Sequence, residues 1–217
     1  MTGNSVITVL IADDDPFVRR GVSDIFAATD DITVVADVDD GDQVVGAVHA
    51  HRPHVVLMDL KMKRTGGLEA TRQLMTIPAP PRVIAMTAMD VDDLVVQAVS
   101  AGAHSFLSKD EAPETFQQSV RAVAAGNTLF SQESLRRIVA AGSPHTSPSA
   151  ADLSMLSPRE LDVLRAVAYG TSNANIAAEL FLSETTVKTH ISAVFTKLGT
   201  QNRVQAALIA FRAGLVS

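Results

Sequence analysis

Residues 6–125 alternate short β-branched runs with amphipathic stretches, and this alternation constrains the fold more than any other feature of the chain. Strands that alternate with helical patterns are typical of βαβ units and a parallel sheet. The first, third and fourth runs are almost entirely apolar, as expected when helices cover both faces of a sheet. We therefore predict an α/β domain with a five-stranded, doubly wound parallel sheet.

The predicted strands are Val6–Ala12, Ile32–Ala36, His54–Asp59, Arg82–Thr87 and His104–Leu107. The predicted helices are Pro16–Ala28, Gln43–His51, Leu68–Ile77, Val91–Ala101 and Pro113–Ala125.

The end of the chain shows short helical patterns and no strand signal. The sequence Ser157-Pro-Arg-Glu160 predicts a capping box with proline in the first helical turn. Ser172 and Ser183 are suitable caps for two further short helices, and apolar residues from Val204 onward indicate a fourth. A tight turn between the second and third helices is typical of a helix-turn-helix motif.

A proline-, serine- and glycine-rich segment at residues 142–149 separates the two patterns. It predicts a flexible linker, preceded by a further helix over Asn127–Ala141. The expected division is an α/β domain at 1–127, a connecting region at 128–152 and a smaller, all-α four-helix domain at 153–217.

Composition excludes several classes of function. The 217 residues include no cysteine, which excludes disulfides, cysteine-ligated zinc and thiol nucleophiles. No apolar run approaches the roughly 18 residues of a membrane-spanning helix, and Met1–Asn4 lacks signal-peptide character. We therefore expect a cytoplasmic protein with no membrane partner.

The net charge of −6 is unevenly distributed along the chain. Residues 1–127 carry 10 Lys and Arg against 18 Asp and Glu, whereas residues 151–217 carry 6 against 5. The acidic excess therefore belongs to the α/β domain, and the nearly neutral helical domain remains compatible with a nucleic-acid partner.

Chemically useful side chains follow four of the predicted strands. Asp13 and Asp14 come directly after the first strand and Asp59 ends the third, so their carboxylates are expected at one edge of the sheet. Clustered carboxylates repel one another unless a hard divalent cation is bound, and Mg²⁺ prefers oxygen ligands. Thr87 and Lys109 end or follow the last two strands. Capping or solvation is the usual explanation for each of these residues alone, but their combination predicts Mg²⁺-assisted phosphoryl transfer to a carboxylate.

Four motifs surround these residues: Ile11-Ala-Asp-Asp14, Met58-Asp-Leu-Lys-Met62 followed by Gly67, Ala85-Met-Thr-Ala88 and Phe106-Leu-Ser-Lys109. In order and spacing, they resemble the receiver domain of two-component response regulators, which has a flavodoxin-like fold. The resemblance implies that Asp59 accepts phosphate from a sensor histidine kinase. It implies a set of Mg²⁺ ligands: Asp13, Asp14, Asp59 and the backbone carbonyl of Lys61. It also implies a set that binds the phosphoryl group or switches with it: Thr87, the backbone of Ala88, Phe106 and Lys109.

Lys63 departs from the family, which nearly always has proline at this position. The substitution predicts a basic and more mobile loop after the third strand, although a solvated lysine is the simpler interpretation. An altered phosphorylation rate is one hypothesis that follows.

The helical region contains motifs that resemble the DNA-binding domain of LuxR-type regulators. They are Leu156-Ser-Pro-Arg-Glu-Leu-Asp-Val-Leu164, Ser172-Asn-Ala-Asn-Ile-Ala177, Leu182-Ser-Glu-Thr-Thr-Val-Lys-Thr-His190, Lys197-Leu-Gly199 and Asn202-Arg-Val204. With the receiver motifs, they identify the chain as a member of the NarL/FixJ class. This resemblance implies that the partners are promoter DNA and RNA polymerase.

The third helix of this domain is the predicted recognition helix, because its polar face lies opposite an apolar one. A recognition helix reads base edges from its N-terminal half, and its cations hold phosphates. The first candidates for DNA contact are Lys188, Thr189 and Ser192. Further candidates, for which capping, packing or solvation are equal explanations, are Thr185, Thr186, His190, Lys197 and Arg203.

The few cations of this domain predict weak DNA binding by one copy, so phosphorylation is expected to act through homodimerisation. The candidates for the dimer surface are Val204, Ala207, Leu208 and Phe211, with core packing as an equal explanation.

Two other functions remain open. One is a phosphorylation-independent regulator switched by a ligand or partner. The other is a Mg²⁺-dependent phosphatase that uses an aspartyl phosphate, although Lys61 stands where such enzymes usually carry a second acid.

Overall fold

A computed structural model describes residues 6–88, 92–127 and 153–216 of the chain. The chain divides into two compact units, Met1–Ala125 and Gly126–Ser217. The predicted connecting region at 128–152 lies outside the described residues. In the described ranges, no helix is both long and apolar enough to cross a membrane.

The first unit contains one parallel sheet with the strand order β2-β1-β3-β4-β5. The strands are β1 (Ile7–Ala12), β2 (Ile32–Val38), β3 (Val55–Asp59), β4 (Arg82–Thr87) and β5 (Ser105–Ser108). This topology confirms the predicted fold class. Strand β2 is longer than predicted, because a register shift between Val9 and Leu10 lets Asp37 and Val38 continue the pairing with β1.

Helices cover both faces of the sheet. They are α1 (Pro16–Ala27), α2 (Val44–His51), α3 (Gly67–Met75), α4 (Asp92–Ala101) and α5 (Pro113–Ala124), with a 3₁₀ turn at Gly41–Gln43 before α2. Successive residues of β1 face opposite sides: Leu10 packs with Leu74 of α3, whereas Ile11 packs with Phe26 of α1 and Phe116 of α5. The side chains of Leu10 and Ile11 are both fully buried, although they face opposite sides of the sheet. Burial on both sides explains the continuous apolar sequence of β1.

The second unit contains α6 (Pro158–Ala168), α7 (Asn173–Glu179), α8 (Glu184–Leu198) and α9 (Arg203–Arg212). The predicted caps are present. Ser157 forms a reciprocal capping box with Glu160, while Ser172 and Ser183 accept backbone N–H groups at the starts of α7 and α8. Val163, Ile176 and other apolar residues of α6, α7 and α8 form a shared core.

Candidate functional site

The carboxyl ends of β1 and β3 bring three aspartates together. These strands are neighbours in the sheet, so Asp13, which follows β1, and Asp59, which ends β3, lie at the same edge. Asp13 is fully buried and Asp59 is 4% exposed. Together with Asp14, they place carboxylate oxygens within 4.8 Å of one another. Three hard oxygen donors in this arrangement could hold a divalent metal ion.

Lys109 contributes the cation of this edge. Its Nζ atom lies 2.7 Å from Oδ2 of Asp13 and 3.0 Å from Oδ2 of Asp59. Burial opposes the charged form of the lysine, but the two carboxylates hold the pKa of Lys109 above its usual value. Burial raises the pKa of Asp59, and Lys109 offsets part of that rise. The edge therefore holds a partly buried cation, 17% exposed, directly beside the predicted nucleophile.

Backbone contacts orient the buried carboxylates. Oδ1 of Asp13 accepts the N–H of Asp15 at 2.9 Å, and Oδ1 of Asp59 accepts the N–H of Lys61 at 3.2 Å. In each case, the other oxygen lies beside Lys109. Arg19 on α1 donates to the backbone carbonyl of Asp13 at 2.7 Å. Arg19 also donates to Oδ2 of Asp37 at 2.8 Å, and the sequence motifs gave no signal for either contact.

The other predicted receiver residues lie around the same edge. Thr87 ends β4, is 7% exposed, and its carbonyl accepts the N–H of Lys109 at 2.8 Å. Ala88 follows it at the surface. Phe106 on β5 is half-buried against the core that contains Leu74.

The loop after β3 approaches the acidic edge closely. A Cβ atom on Gly67 would lie 2.0 Å from the backbone oxygen of Asp59, so the packing of α3 against β3 requires glycine there. Gly67 also donates its N–H to the carbonyl of Leu60. Within this loop, the Nζ atom of Lys63 lies 3.5 Å from Oδ2 of Asp14, although the Lys63 side chain is 78% exposed.

Helix α8 presents a polar face to the surface. Val187, Ile191 and Val194 are buried, whereas Lys188, Thr189 and Ser192 are exposed. Thr185 and Thr186 are also exposed, and His190 is half-buried. The face contains a cation and hydroxyl groups, which are suitable contacts for phosphates and base edges.

Two predicted DNA contacts have other partners. Lys197 lies 2.7 Å from Oε2 of Glu160, which couples the end of α8 to the start of α6. Arg203 is only 4% exposed, and its guanidinium donates to Oδ1 of Asn173 and to the carbonyl of Thr171. Burial lowers the pKa of Arg203 to about 10. The structure therefore places the Arg203 side chain inside the protein, and a contact of Arg203 with DNA stays a prediction that these internal partners do not support.

The dimer candidates on α9 are mostly buried. Val204, Ala207 and Leu208 are at most 8% exposed, and only Phe211 is partly exposed. The first three lack the free apolar surface that the dimerisation hypothesis requires. Core packing, the alternative stated above, describes them better.

Comparisons with known proteins agree with both parts of the chain. Residues 9–121 match the family described as the response regulator receiver domain, and residues 154–210 match the one described as bacterial regulatory proteins, luxR family. The chain is 34% identical to the uncharacterised transcriptional regulatory protein YxjL of Bacillus subtilis, over 97% of each chain. It is 31% identical to the nitrate/nitrite response regulator NarL of Escherichia coli, over 96% of each chain.

A solved structure extends this likeness. The crystal structure of ChrA, the response regulator of a heme-sensing two-component system, has 33% identity and a TM-score of 0.54. The comparison covers 98% of this chain and 100% of ChrA. These families contain transcriptional regulators rather than enzymes, so the phosphatase alternative gains no support. The chain belongs to the NarL-type, LuxR-family response regulators: it is a DNA-binding response regulator of a two-component system.

Proposed function

We propose that residues 1–127 receive phosphate at Asp59 from a sensor histidine kinase. The observation that carries this proposal is that Asp59 lies beside both Lys109 and the carboxylates of Asp13 and Asp14. A carboxylate that accepts a phosphoryl group must carry a negative charge and then hold additional negative charge. The partly buried cation and the metal-binding cluster beside Asp59 meet that requirement.

In the proposed reaction, a carboxylate oxygen of Asp59 attacks the phosphorus of a phosphohistidine. An O–P bond forms as the P–N bond breaks, and the electron pair of that bond returns to the imidazole nitrogen. Lys109 offsets the charge on the transferred oxygens, and the Thr87 hydroxyl donates to one of them.

The donor set of Asp13, Asp14 and Asp59 fits Mg²⁺, and the backbone carbonyl of Lys61 is the fourth proposed ligand. When bound, Mg²⁺ neutralises charge on the phosphoryl oxygens. The protein residues hold the carboxylates in place through the N–H groups of Asp15 and Lys61.

For the output, we propose that the phosphorylated protein binds promoter DNA in the cytoplasm as a homodimer and contacts RNA polymerase. Residues 153–217 form the DNA-binding domain, with α8 as the recognition helix and Lys188, Thr189 and Ser192 as its first contacts. Six cations in residues 151–217 are few for tight binding by one copy. Two copies on one DNA would double the phosphate contacts, so dimerisation is a suitable point of control.

The test compares the full-length protein with Asp59→Ala in the presence of Mg²⁺ and acetyl phosphate. Intact mass, oligomeric state and DNA affinity are measured for each. Asp30→Ala is the matched control, since Asp30 is an exposed carboxylate before β2. We expect the parent and Asp30→Ala to gain one phosphoryl group and Asp59→Ala to gain none. If the parent gains none, or Asp59→Ala gains it equally, the proposal fails and phosphorylation-independent regulation is favoured.

A further inference from the structure

A buried carboxylate outside the acidic edge holds the loop after β3, here residues 61–66. Asp40 lies between β2 and the 3₁₀ turn and is 1% exposed. Its Oδ2 atom accepts the N–H of Arg64 at 2.8 Å, and its Oδ1 atom accepts the N–H of Thr65 at 2.8 Å. The N–H of Gly41 completes the contact by donating to the carbonyl of Thr65 at 3.2 Å. We call these three hydrogen bonds the loop clasp.

The clasp depends on a close approach of two backbones. A Cβ atom on Gly41 would lie 2.3 Å from the carbonyl oxygen of Thr65, so a larger residue would force the loops apart. Burial alone would raise the pKa of Asp40, yet the N–H groups of Arg64 and Thr65 hold it below its usual value. The backbone N–H groups therefore stabilise the charged form of this buried carboxylate.

The Arg64 side chain is not the main partner of Asp40. Its guanidinium is 56% exposed and donates to Asp42 at 2.8 and 3.0 Å, whereas its Nε atom lies 3.9 Å from Oδ1 of Asp40. Exposed ion pairs of this kind contribute little. The side chain of Arg64 can thus be changed without removing the clasp.

The loop clasp begins at Arg64, three residues after Lys61. Backbone hydrogen bonds also fix the chain at Leu60 and Lys61. The N–H of Leu60 donates to the carbonyl of Met86 on β4 at 3.2 Å, and the N–H of Lys61 donates to Asp59. We propose that Asp40 is a positioning residue, which holds the loop so that the carbonyl of Lys61 completes the metal site. This inference rests on the proposed function, in which that carbonyl is a Mg²⁺ ligand.

Asp40→Asn tests the proposal because an amide has one oxygen for the two N–H donors and turns its own NH₂ toward the other. We expect this variant to bind Mg²⁺ about tenfold more weakly, the lower end of the effect of residues that support metal ligands. The dissociation constant is measured by calorimetry on the full-length protein without a phosphate donor. Arg64→Gln, which retains the clasp, should stay within about twofold of the parent.

A second variant and a rate measurement separate positioning from a general loss of structure. Gly41→Ala separates the same loops without changing Asp40 and should weaken Mg²⁺ binding similarly. For both variants, the phosphorylation rate with acetyl phosphate should be low at limiting Mg²⁺ and return to the parent rate at saturating Mg²⁺.

Three results would overturn the inference. Asp40→Asn and Gly41→Ala could bind Mg²⁺ as tightly as the parent, in which case only this inference fails. Their rates could stay low at saturating Mg²⁺, which would show a wider disruption of the site. The parent itself could bind no Mg²⁺, and then the proposed function fails together with the inference.

Discussion

The amine of Lys109 lies 3.0 Å from Oδ2 of Asp59, although Lys109 follows β5 and Asp59 ends β3. Strand β4 separates these strands in the sheet, so the lysine reaches across its end. The same amine lies 2.7 Å from Asp13. One cation therefore offsets the repulsion between two buried carboxylates, and it lies where a phosphoryl group on Asp59 would place further negative charge.

Lys109→Gln should destabilise the protein. The substitution leaves the carboxylates of Asp13 and Asp59 buried without their cation, and we expect a loss of about 1–3 kcal/mol in the free energy of unfolding. Urea unfolding without Mg²⁺ measures this loss. Added Mg²⁺ should restore part of it, because a cation that binds the folded state stabilises that state.

The control for Lys109 is Lys63→Gln, which removes an exposed lysine near the same edge. Its effect on unfolding should stay within about 0.5 kcal/mol. Equal unfolding curves for the parent and Lys109→Gln would show that the buried carboxylates do not need this cation.

Lys63 should weaken metal binding. Its amine lies 3.5 Å from Oδ2 of Asp14, a proposed metal ligand, so it competes with a divalent cation for that oxygen. Exposed pairs contribute about 0.2–1 kcal/mol, so the Mg²⁺ dissociation constant of Lys63→Gln should be about 1.4- to fivefold lower than that of the parent. The gain should shrink at high salt, because the pair is exposed.

Arg72→Gln is the charge-matched control for this measurement, since Arg72 pairs with Glu69 on α3 instead. A tighter Mg²⁺ constant in both variants would indicate a general effect of net charge. Lys63→Pro, which restores the residue usual in the family, tests the loop itself. Phosphorylation rates equal to the parent's would remove the hypothesis that position 63 controls the rate.

The sequence predicts the acidic edge well because strand order dictates it. Once β1 and β3 are recognised as buried parallel strands, the residues at their carboxyl ends must meet, and Asp13 and Asp59 do so. Apolar runs and caps are local signals, and the strands and helices that they predict within residues 6–88, 92–127 and 153–216 are present, whereas the helix predicted over Asn127–Ala141 lies largely outside these ranges. The same reasoning fails where a side chain is buried by a distant segment.

Arg203 and Asp40 are two side chains whose partners the local sequence does not indicate. A charged residue is exposed by default, and nothing near Arg203 in the sequence indicates that Asn173 and Thr171 will receive its guanidinium. Asp40 lies among other aspartates and no motif distinguishes it, but its buried carboxylate accepts backbone N–H groups from the loop after β3. The partners of both side chains come from distant segments of the chain. Neither the periodicity of apolar residues nor the spacing of motifs indicates such tertiary contacts.

His104 should make the stability of the receiver depend on pH. The residue is 9% exposed, and its Nδ1 atom accepts the N–H of Val83 at 3.2 Å. Burial, together with the charge of Arg82, lowers the pKa of His104 to about 3 from its usual value of 6.5. Below about pH 6.5, the unfolded chain therefore binds a proton that the folded chain excludes. Stability falls as the pH decreases from about 6.5 toward 3, by up to about 1.4 kcal/mol per pH unit.

His104→Asn isolates this contribution, because its side-chain oxygen can accept the same N–H but does not titrate. Urea unfolding of both proteins between about pH 7 and pH 5 gives the comparison. The parent should lose stability faster than the variant as the pH falls. Parallel losses would mean that His104 becomes protonated in the folded protein.

Lys188 and Lys197 should differ in their contribution to DNA binding. Lys188 is exposed on the polar face of α8, whereas Lys197 is paired with Glu160 at 2.7 Å. Each phosphate contact contributes about 0.9 to the slope of log affinity against log salt concentration. Lys188→Ala should reduce that slope by about one contact per bound copy, and Lys197→Ala should change it less.

Fluorescence anisotropy with a labelled duplex at several salt concentrations measures both slopes. A duplex of arbitrary sequence is sufficient, since phosphate contacts carry no sequence information. Lys197→Ala should instead lower the stability of the helical domain, because it removes the cation beside the carboxylate of Glu160, which is 6% exposed and also accepts the N–H of Ser157. If the slope decreases more in Lys197→Ala than in Lys188→Ala, then Lys197 leaves Glu160 and contacts a DNA phosphate in the complex. Lys197, rather than Lys188, would then be the phosphate contact.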